Sequence, residues 1–512
     1  MARTMTKAVM HVNERRRRYT AAAFFASCTL ALALIPEIAR AQANLVFTED
    51  ATLAPRGVLR VRALTAWSRY DEVFAGSGTR SIGAFLTADS LGAAQVPALG
   101  GIQTLVQNAT GSAFSLTLGK STLGATAREE VLPIALEYGI SRRFAVSVVT
   151  PIVRRRVAAV FQLDTTGVGA NVGPNPQRTS AGASQVNAQV QAEFASAASQ
   201  LQARLQACQS NPGASGCAAL LARQSEAQQL IQSSATFAST LADLYGSAAS
   251  DGAAFVPMAA SAAQQAVASR IGSFNTQYQD LLGTSANLLQ AVPRGAGGPA
   301  GTAEFEQYAV GELGGDSIST QERLRFGDVE IGAKALVIDR PLRPGQTTSM
   351  MLSVGSSVRL PTGSRQTDNQ IASLASGSGS VVIDTRAFLD ARFGRFGILA
   401  GGSFAASVKD VDTSSTSLRN ARWSNLQIAP RWHLSAPLSV FGAYAMQSAD
   451  KTGGDHLLGG GVSYSTLALP GANPRALPIE MRFTHLEAVA GDAGQPKFFR
   501  DQVELRLYFR LF

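Results

Sequence analysis

Met350-Met351-Leu352-Ser353-Val354-Gly355-Ser356-Ser357-Val358-Arg359-Leu360 alternates with a period of two. Met350, Leu352, Val354, Val358 and Leu360 share one face of an extended chain, while Met351, Ser353, Gly355, Ser357 and Arg359 share the other. Successive side chains of a strand point to opposite sides, so one face suits hydrocarbon and the other suits water. Segment 381–393 repeats the arrangement, opposing Val381, Ile383, Ala387, Leu389, Ala391 and Phe393 to Asp384, Arg386, Asp390 and Arg392. Segment 502–511 sets Val503, Leu505, Leu507, Phe509 and Leu511 against Gln502, Glu504, Arg506, Tyr508 and Arg510. A soluble β-sandwich hides one face of each strand in a core, where aligned arginine and glutamate do not belong. A water-bordered lumen accepts them.

The expected fold class is therefore an all-β transmembrane antiparallel β-barrel of about twelve strands. The strands are expected near residues 57–70, 128–138, 143–155, 325–339, 347–361, 379–393, 396–408, 421–433, 438–448, 456–466, 477–489 and 499–512. The count is even, as bacterial barrels require. With both ends periplasmic, the tight turns 139–142, 394–395 and 435–437 fall on one side and the long connections on the other. Tyr138, Phe144, Phe393, Phe396 and Trp432 flank those turns, where an aromatic girdle would sit.

The rest of the chain is read around that barrel. Residues 1–43 read as a cleaved signal peptide: Arg15, Arg16, Arg17 and Arg18 are basic, 21–35 is apolar, and Ala39-Arg40-Ala41 or Ala41-Gln42-Ala43 offers small residues for cleavage. Removing them takes away seven Lys/Arg and two Asp/Glu, so the net charge falls from +9 to +4. No basic cluster interleaved with aromatics is left, which argues against nucleic acid as a partner. Beyond the signal no run of 18 apolar residues occurs, which excludes an ordinary helical inner-membrane protein. The expected location is the bacterial outer membrane, with its lipids, lipopolysaccharide and the barrel insertion machinery as partners. The terminal strand ending at Phe512 is similar to the insertion signal of such barrels, with Arg510 in place of the usual third-from-last aromatic.

The domain reading is 1–43 signal, 44–165 barrel strands one to three with a long first external loop, 166–322 a mostly α-helical insertion, and 323–512 strands four to twelve. The insertion is rich in Ala, Gln and Ser, and Val186, Val190, Phe194, Ala197, Leu201 and Leu205 recur at helical spacing. Ser210-Asn211-Pro212-Gly213 should reverse the chain and bring Cys208 to Cys217, giving a disulfide in an oxidising compartment. By parity the insertion is external; it could cap the mouth, protrude, or fold into the lumen.

Little in the chain suggests catalysis. His433-Leu434-Ser435 has the spacing of a lipid A deacylase type, but at a periplasmic turn. His456 and His485 stand without carboxylate or cysteine partners in the sequence, so no metal and no cofactor is expected. Arg154-Arg155-Arg156 read as an external strand end able to meet lipopolysaccharide phosphates. The candidate lumen-lining set is Arg60, Arg62, Glu137, Glu330, Lys334, Arg359, Asp384, Arg386, Arg392, Arg431, Glu480, Arg482, Glu504 and Arg506. About twelve strands predict a narrow, partly plugged lumen edged by ion pairs.

Three segments carry a resemblance. Leu136-Glu137-Tyr138-Gly139-Ile140-Ser141-Arg142-Arg143, Phe326-Gly327-Asp328-Val329-Glu330-Ile331-Gly332-Ala333-Lys334 and Val358-Arg359-Leu360-Pro361-Thr362-Gly363 occur in this order. Together they resemble the meta-pathway phenol-degradation family of outer-membrane barrels. The resemblance covers the barrel segments and not the insertion. It implies a barrel transporter passing small, hydrophobic or aromatic molecules, and no catalytic residues. The alternatives are a surface-exposed binding or adhesion barrel that uses the insertion, and, less favoured, an outer-membrane lipid hydrolase.

Overall fold

The computed structural model describes residues 45–511 apart from 77, 165, 167–168, 312–317, 341–346, 365–374, 411–421, 451–452 and 469–477. The signal-peptide reading of 1–43 and the terminal Phe512 lie outside the described residues. The chain divides into two compact units, one of residues 85–123 with 161–314 and one holding the remainder of the described chain.

The second unit is a closed antiparallel barrel of twelve strands. They are β1 (Val58–Ala75), β2 (Ser121–Ser141), β3 (Phe144–Leu163), β4 (in two pieces, Gln321–Phe326 and Val329–Arg340), β5 (Thr348–Leu360), β6 (Ser380–Phe393), β7 (Phe396–Asp410), β8 (Arg422–His433), β9 (Leu438–Ala449), β10 (Gly453–Ser465), β11 (Ile479–Gly491) and β12 (Pro496–Arg510). Each strand pairs with its neighbours in sequence, and β12 returns to β1 with Val58 opposite Arg510 and Val73 opposite Pro496. Closure leaves no edge strand, which lets a sheet reside in hydrocarbon with its backbone groups paired.

The pleat sorts the side chains as the alternation requires. Ile134, Leu136, Val146, Val354, Ile383, Leu426, Val462, Phe483 and Val503 project outward and are exposed. Phe144, Phe393, Phe396 and Trp432 are exposed beside the short turns. Those turns are 142–143, 394–395 and 434–437; the 466–478 connection on the same side is longer than the rule anticipates. Gly394 takes φ 63°, the left-handed conformation that a two-residue hairpin needs.

The two pieces of β4 both pair with β3 and are joined at Gly327-Asp328. Asp328 is buried and accepts hydrogen bonds from the amide of Gly363 at 2.9 Å, the amide of Ser378 at 2.7 Å and the Ser378 hydroxyl at 2.8 Å. Thr362 donates to the Gly327 carbonyl at 3.0 Å and accepts from the Val329 amide at 2.9 Å. Gly363 and Gly377 pack so closely that a Cβ on either would fall 2.7 to 2.8 Å from the other's backbone. The second and third sequence motifs thus meet in one splice that stitches the break in β4 to the end of β5.

The first unit is helical, with α1 (Pro97–Thr110), α2 (Ala181–Ser210), α3 (Cys217–Ala222), α4 (Gln224–Tyr245), α5 (Ala262–Leu282) and α6 (Thr302–Gly311). Val172–Pro174 pairs with Phe255–Pro257 as a two-stranded patch. Its core is centred on Phe194, Phe237 and Phe274, whose rings lie 5.1 to 5.9 Å apart. The α2 stripe runs Val190, Phe194, Ala197, Leu201 and Leu205 as expected, but at its start Ala183 and Asn187 are buried and Val186 only half so. Asn187 and Asn175 turn their side-chain amides onto the Tyr245 carbonyl at 2.9 and 3.2 Å, closing the end of α4. Cys208 and Cys217 form a disulfide with Cα atoms 5.0 Å apart. Residues 85–123, which fall where the sequence leads one to expect a long first external loop, contain α1 and belong to the helical unit. No helix among the described residues is long and apolar enough to cross a membrane.

Candidate functional site

The lumen is not empty wall. Residues 45–57, just ahead of β1, run inside the barrel and are gripped by side chains from most of the ring. The Arg62 guanidinium donates to the Thr48 carbonyl at 2.6 Å, Arg482 to the Phe47 carbonyl at 2.8 Å, and Lys334 to the Asp50 carbonyl at 3.1 Å. The Phe47 amide donates to Gln427 at 2.6 Å and the Ala54 amide to Glu137 at 2.7 Å. Gly139 allows the approach on that side, because a Cβ there would stand 2.2 Å from the Pro55 carbonyl oxygen. The first sequence motif therefore seats this segment through Glu137 and Gly139.

Two acids on the segment organise the charges around it. Glu49 accepts from Arg386 at 2.7 Å and lies 3.5 Å from Arg62 and 3.8 Å from Lys334. Asp50 pairs with Arg506 and stands 3.3 Å from Arg482. Beyond this shell Arg386 reaches Glu330 and Asp384, Arg359 reaches Glu330 at 3.5 Å, and Arg506 reaches Glu504 at 2.9 Å and Glu480 at 3.8 Å. Arg60 pairs with Glu137 and donates to Thr52 at 2.9 Å. All fourteen residues of the lumen set occupy inward positions of their strands. Eleven of them meet Glu49, Asp50, the segment backbone or a residue that does, and Arg359 joins one step further out through Glu330. Arg392 and Arg431 stand apart: Arg392 donates to the Gly394 carbonyl at 2.9 Å and Arg431 is 4.0 Å from Asp390. Charges taken out of water are stable only when paired and hydrogen-bonded, and this mesh supplies both.

Above the acids the segment is apolar. Val46 and Phe47 are buried with Tyr70, Phe441, Leu457, Leu486 and Phe498 in an interior cluster. Phe47 has φ 60°, a positive value costly for a residue with a Cβ, and its buried ring and two backbone bonds hold it there. Cavities border the segment on two sides. One of about 120 Å³ is lined by Glu49, Arg62, Glu330, Asp384 and Arg386; another of about 140 Å³ by Asp50, Asp390, Arg431, His433 and Arg482.

Sequence reading missed Glu49 and Asp50. A trace was present: the lumen set holds nine bases (Arg60, Arg62, Lys334, Arg359, Arg386, Arg392, Arg431, Arg482, Arg506) against five acids (Glu137, Glu330, Asp384, Glu480, Glu504). Further acids had to come from off the wall or from inward wall positions outside that set, such as Asp390.

His433 and Ser435 do not assemble. His433 faces inward from β8, whereas Ser435 is exposed on the following turn, and no hydrogen bond joins them. His485 corrects the reading of an unpartnered histidine: its Nδ1 lies 2.7 Å from Asp501, directly opposite it on β12. His456 meets the Tyr444 hydroxyl at 2.7 Å. No metal-binding group of three donors exists among the described residues. Arg154, Arg155 and Arg156 do not end their strand, since β3 continues to Leu163. Arg154 and Arg156 project outward, and Arg155 points inward to Glu129 at 3.4 Å.

No family profile and no curated protein matches the chain. Solved structures similar to it are outer-membrane barrels at low identity. The COG4313 outer membrane channel from Pseudomonas putida F1 is 9% identical with a TM-score of 0.38, covering 91% of this chain and 100% of that one. A TodX monoaromatic hydrocarbon channel mutant is 8% identical with a TM-score of 0.28, over 90% and 91%. The translocator domain of the autotransporter NalP from Neisseria meningitidis is 6% identical with a TM-score of 0.28, over 88% of each. Likenesses of this degree carry no argument about what passes through the barrel.

Proposed function

We propose that the chain is an outer-membrane channel for small molecules, exported by its signal peptide, in which residues 45–57 are the element that governs passage. The observation that carries this reading is that the acids balancing the lumen's excess arginine sit on a segment outside the wall. Such a filling can shift while every strand-to-strand hydrogen bond stays in place. The interior cluster around Phe47, Tyr70 and Phe498, together with the motif resemblance, favours solutes that are small and hydrophobic or aromatic over hydrophilic ones.

The test is single-channel conductance in planar bilayers together with aromatic-solute uptake in liposomes, for the whole chain and for a chain lacking residues 45–55. Passage should rise in the truncated chain. A folded barrel that passes nothing in either form would refute the channel reading. A surface-binding barrel is the second reading, favoured by a helical unit with its own aromatic core and disulfide. It requires that cleaving that unit on whole cells abolishes attachment to a ligand.

A further inference from the structure

The outer face of β1 and β2 changes character at one height. Outward residues of β1 run Leu59, Val61, Ala63, Thr65, Trp67 and then Arg69; those of β2 run Tyr138, Leu136, Ile134, Leu132 and then Glu130 and Arg128. Leu59 lies opposite Tyr138, and ten residues further along Arg69 lies opposite Arg128. At a rise of about 3.3 Å per residue and a tilt of about 40°, ten residues climb about 25 Å, the height of the apolar band of such barrels. The two arginines thus stand at the far boundary of the band from the short turns.

Strand β3 brings Arg154 and Arg156 to the same region. Arg154 lies 2.6 Å from Glu322 and 3.5 Å from Glu130, and Arg156 lies 3.9 Å from Glu322. Two carboxylates therefore serve four guanidinium groups. Arg69 and Arg128 are exposed, face one another directly across the sheet, and have no acid partner among the described residues. Like charges directly opposed across a sheet destabilise the pairing. An anion between them reverses that sign, and a guanidinium fork fits two oxygens of a phosphate.

We propose that Arg69, Arg128, Arg154 and Arg156 form a site for the phosphates of an outer-leaflet glycolipid, whose acyl chains lie along the apolar strip of Ala63, Leu132, Ile134 and Ile152 beneath them. The cationic crown over an apolar strip matches an amphiphile with anionic head and hydrocarbon tails. A free anion would need only the crown. The site is on the outside of the wall, so it stands whether or not the lumen conducts.

The experiment uses the folded full chain in detergent and counts bound lipid by native mass spectrometry. The probes are bis-phosphorylated lipid A, the same lipid dephosphorylated, and inorganic phosphate as competitor. The phosphorylated form should bind at least tenfold more tightly than the dephosphorylated one. The double change Arg69→Gln with Arg128→Gln should remove most of that difference, and Glu322→Gln, which frees Arg154 and Arg156 from their shared acid, should tighten binding. Millimolar inorganic phosphate should not displace the lipid. Equal binding of the two lipids overturns the site, as does displacement by inorganic phosphate, which would make it a free-anion site. If the double variant fails to fold, Glu322→Gln decides alone: no tightening overturns the proposal.

Discussion

Replacing Glu49 by Gln together with Asp50 by Asn removes two charges and leaves the shape of the segment almost unchanged. In the native barrel Glu49 accepts from Arg386 at 2.7 Å, and Asp50 pairs with Arg506 and Arg482. A hydrogen bond to a charged partner contributes about 1.5–3 kcal/mol, so losing one strong contact from each acid weakens docking by about 3–6 kcal/mol. The lumen arginines, deprived of two acids, also repel one another more strongly. At about 1.4 kcal/mol per decade, even the lower figure raises the undocked fraction by more than a hundredfold. The wall keeps its own pairs, Arg506 with Glu504 and Arg386 with Glu330, so the barrel should still fold. The readouts are open probability in planar bilayers and the rate at which a protease cuts residues 45–57. Both should rise together. A folded double variant with native conductance and a native cutting rate would show that the acids do not hold the segment, and the reasoning would fail.

Other expectations are more local. Asp328→Ala removes the acceptor of three hydrogen bonds at the β4 splice and should lower the temperature at which the barrel loses its compact gel mobility, by an amount consistent with several kcal/mol. Gly139→Ala places a methyl group against the Pro55 carbonyl and should expose residues 45–57 to protease, whereas Gly394→Ala, with open space around it, should cost only about 1 kcal/mol of turn strain. Cys208→Ser with Cys217→Ser should destabilise the helical unit by about 2.5–3 kcal/mol, seen as a lower helical melting temperature with strand signals unchanged. Phe274→Ala, at the centre of the three-ring core, should destabilise the same unit by about 3–5 kcal/mol.

The barrel was legible because lipid and lumen impose opposite demands on alternate residues over most of each strand. Segments such as Met350, Leu352 and Val354 against Ser353 and Arg359 admit no other face assignment. β2 runs further than read because its outer end, with Thr122, Gly124, Ala125 and Thr126, is small and no longer alternates, and β3 does so because Val157-Ala158-Ala159-Val160-Phe161 is a continuous apolar run without alternation. Helix α1 was missed although Leu99, Ile102 and Val106 are buried at helical spacing; Gly100 and Gly101 interrupt the stripe. Residues 45–57 have no periodicity, being held by arginines distributed around the ring rather than by a pattern of their own. His485 and Asp501 are sixteen residues apart and meet only through the register of β11 and β12.

Residues 45–57 are continuous with Val58, the first residue of a strand locked on both sides, so they cannot diffuse away once dislodged. Thirteen residues reach at most about 45 Å, which confines them to the neighbourhood of their seat at an effective concentration in the millimolar range. If the barrel conducts as proposed, a solute that pushes this tether aside would compete with its prompt return, and the lumen would reseal without help from a second protein.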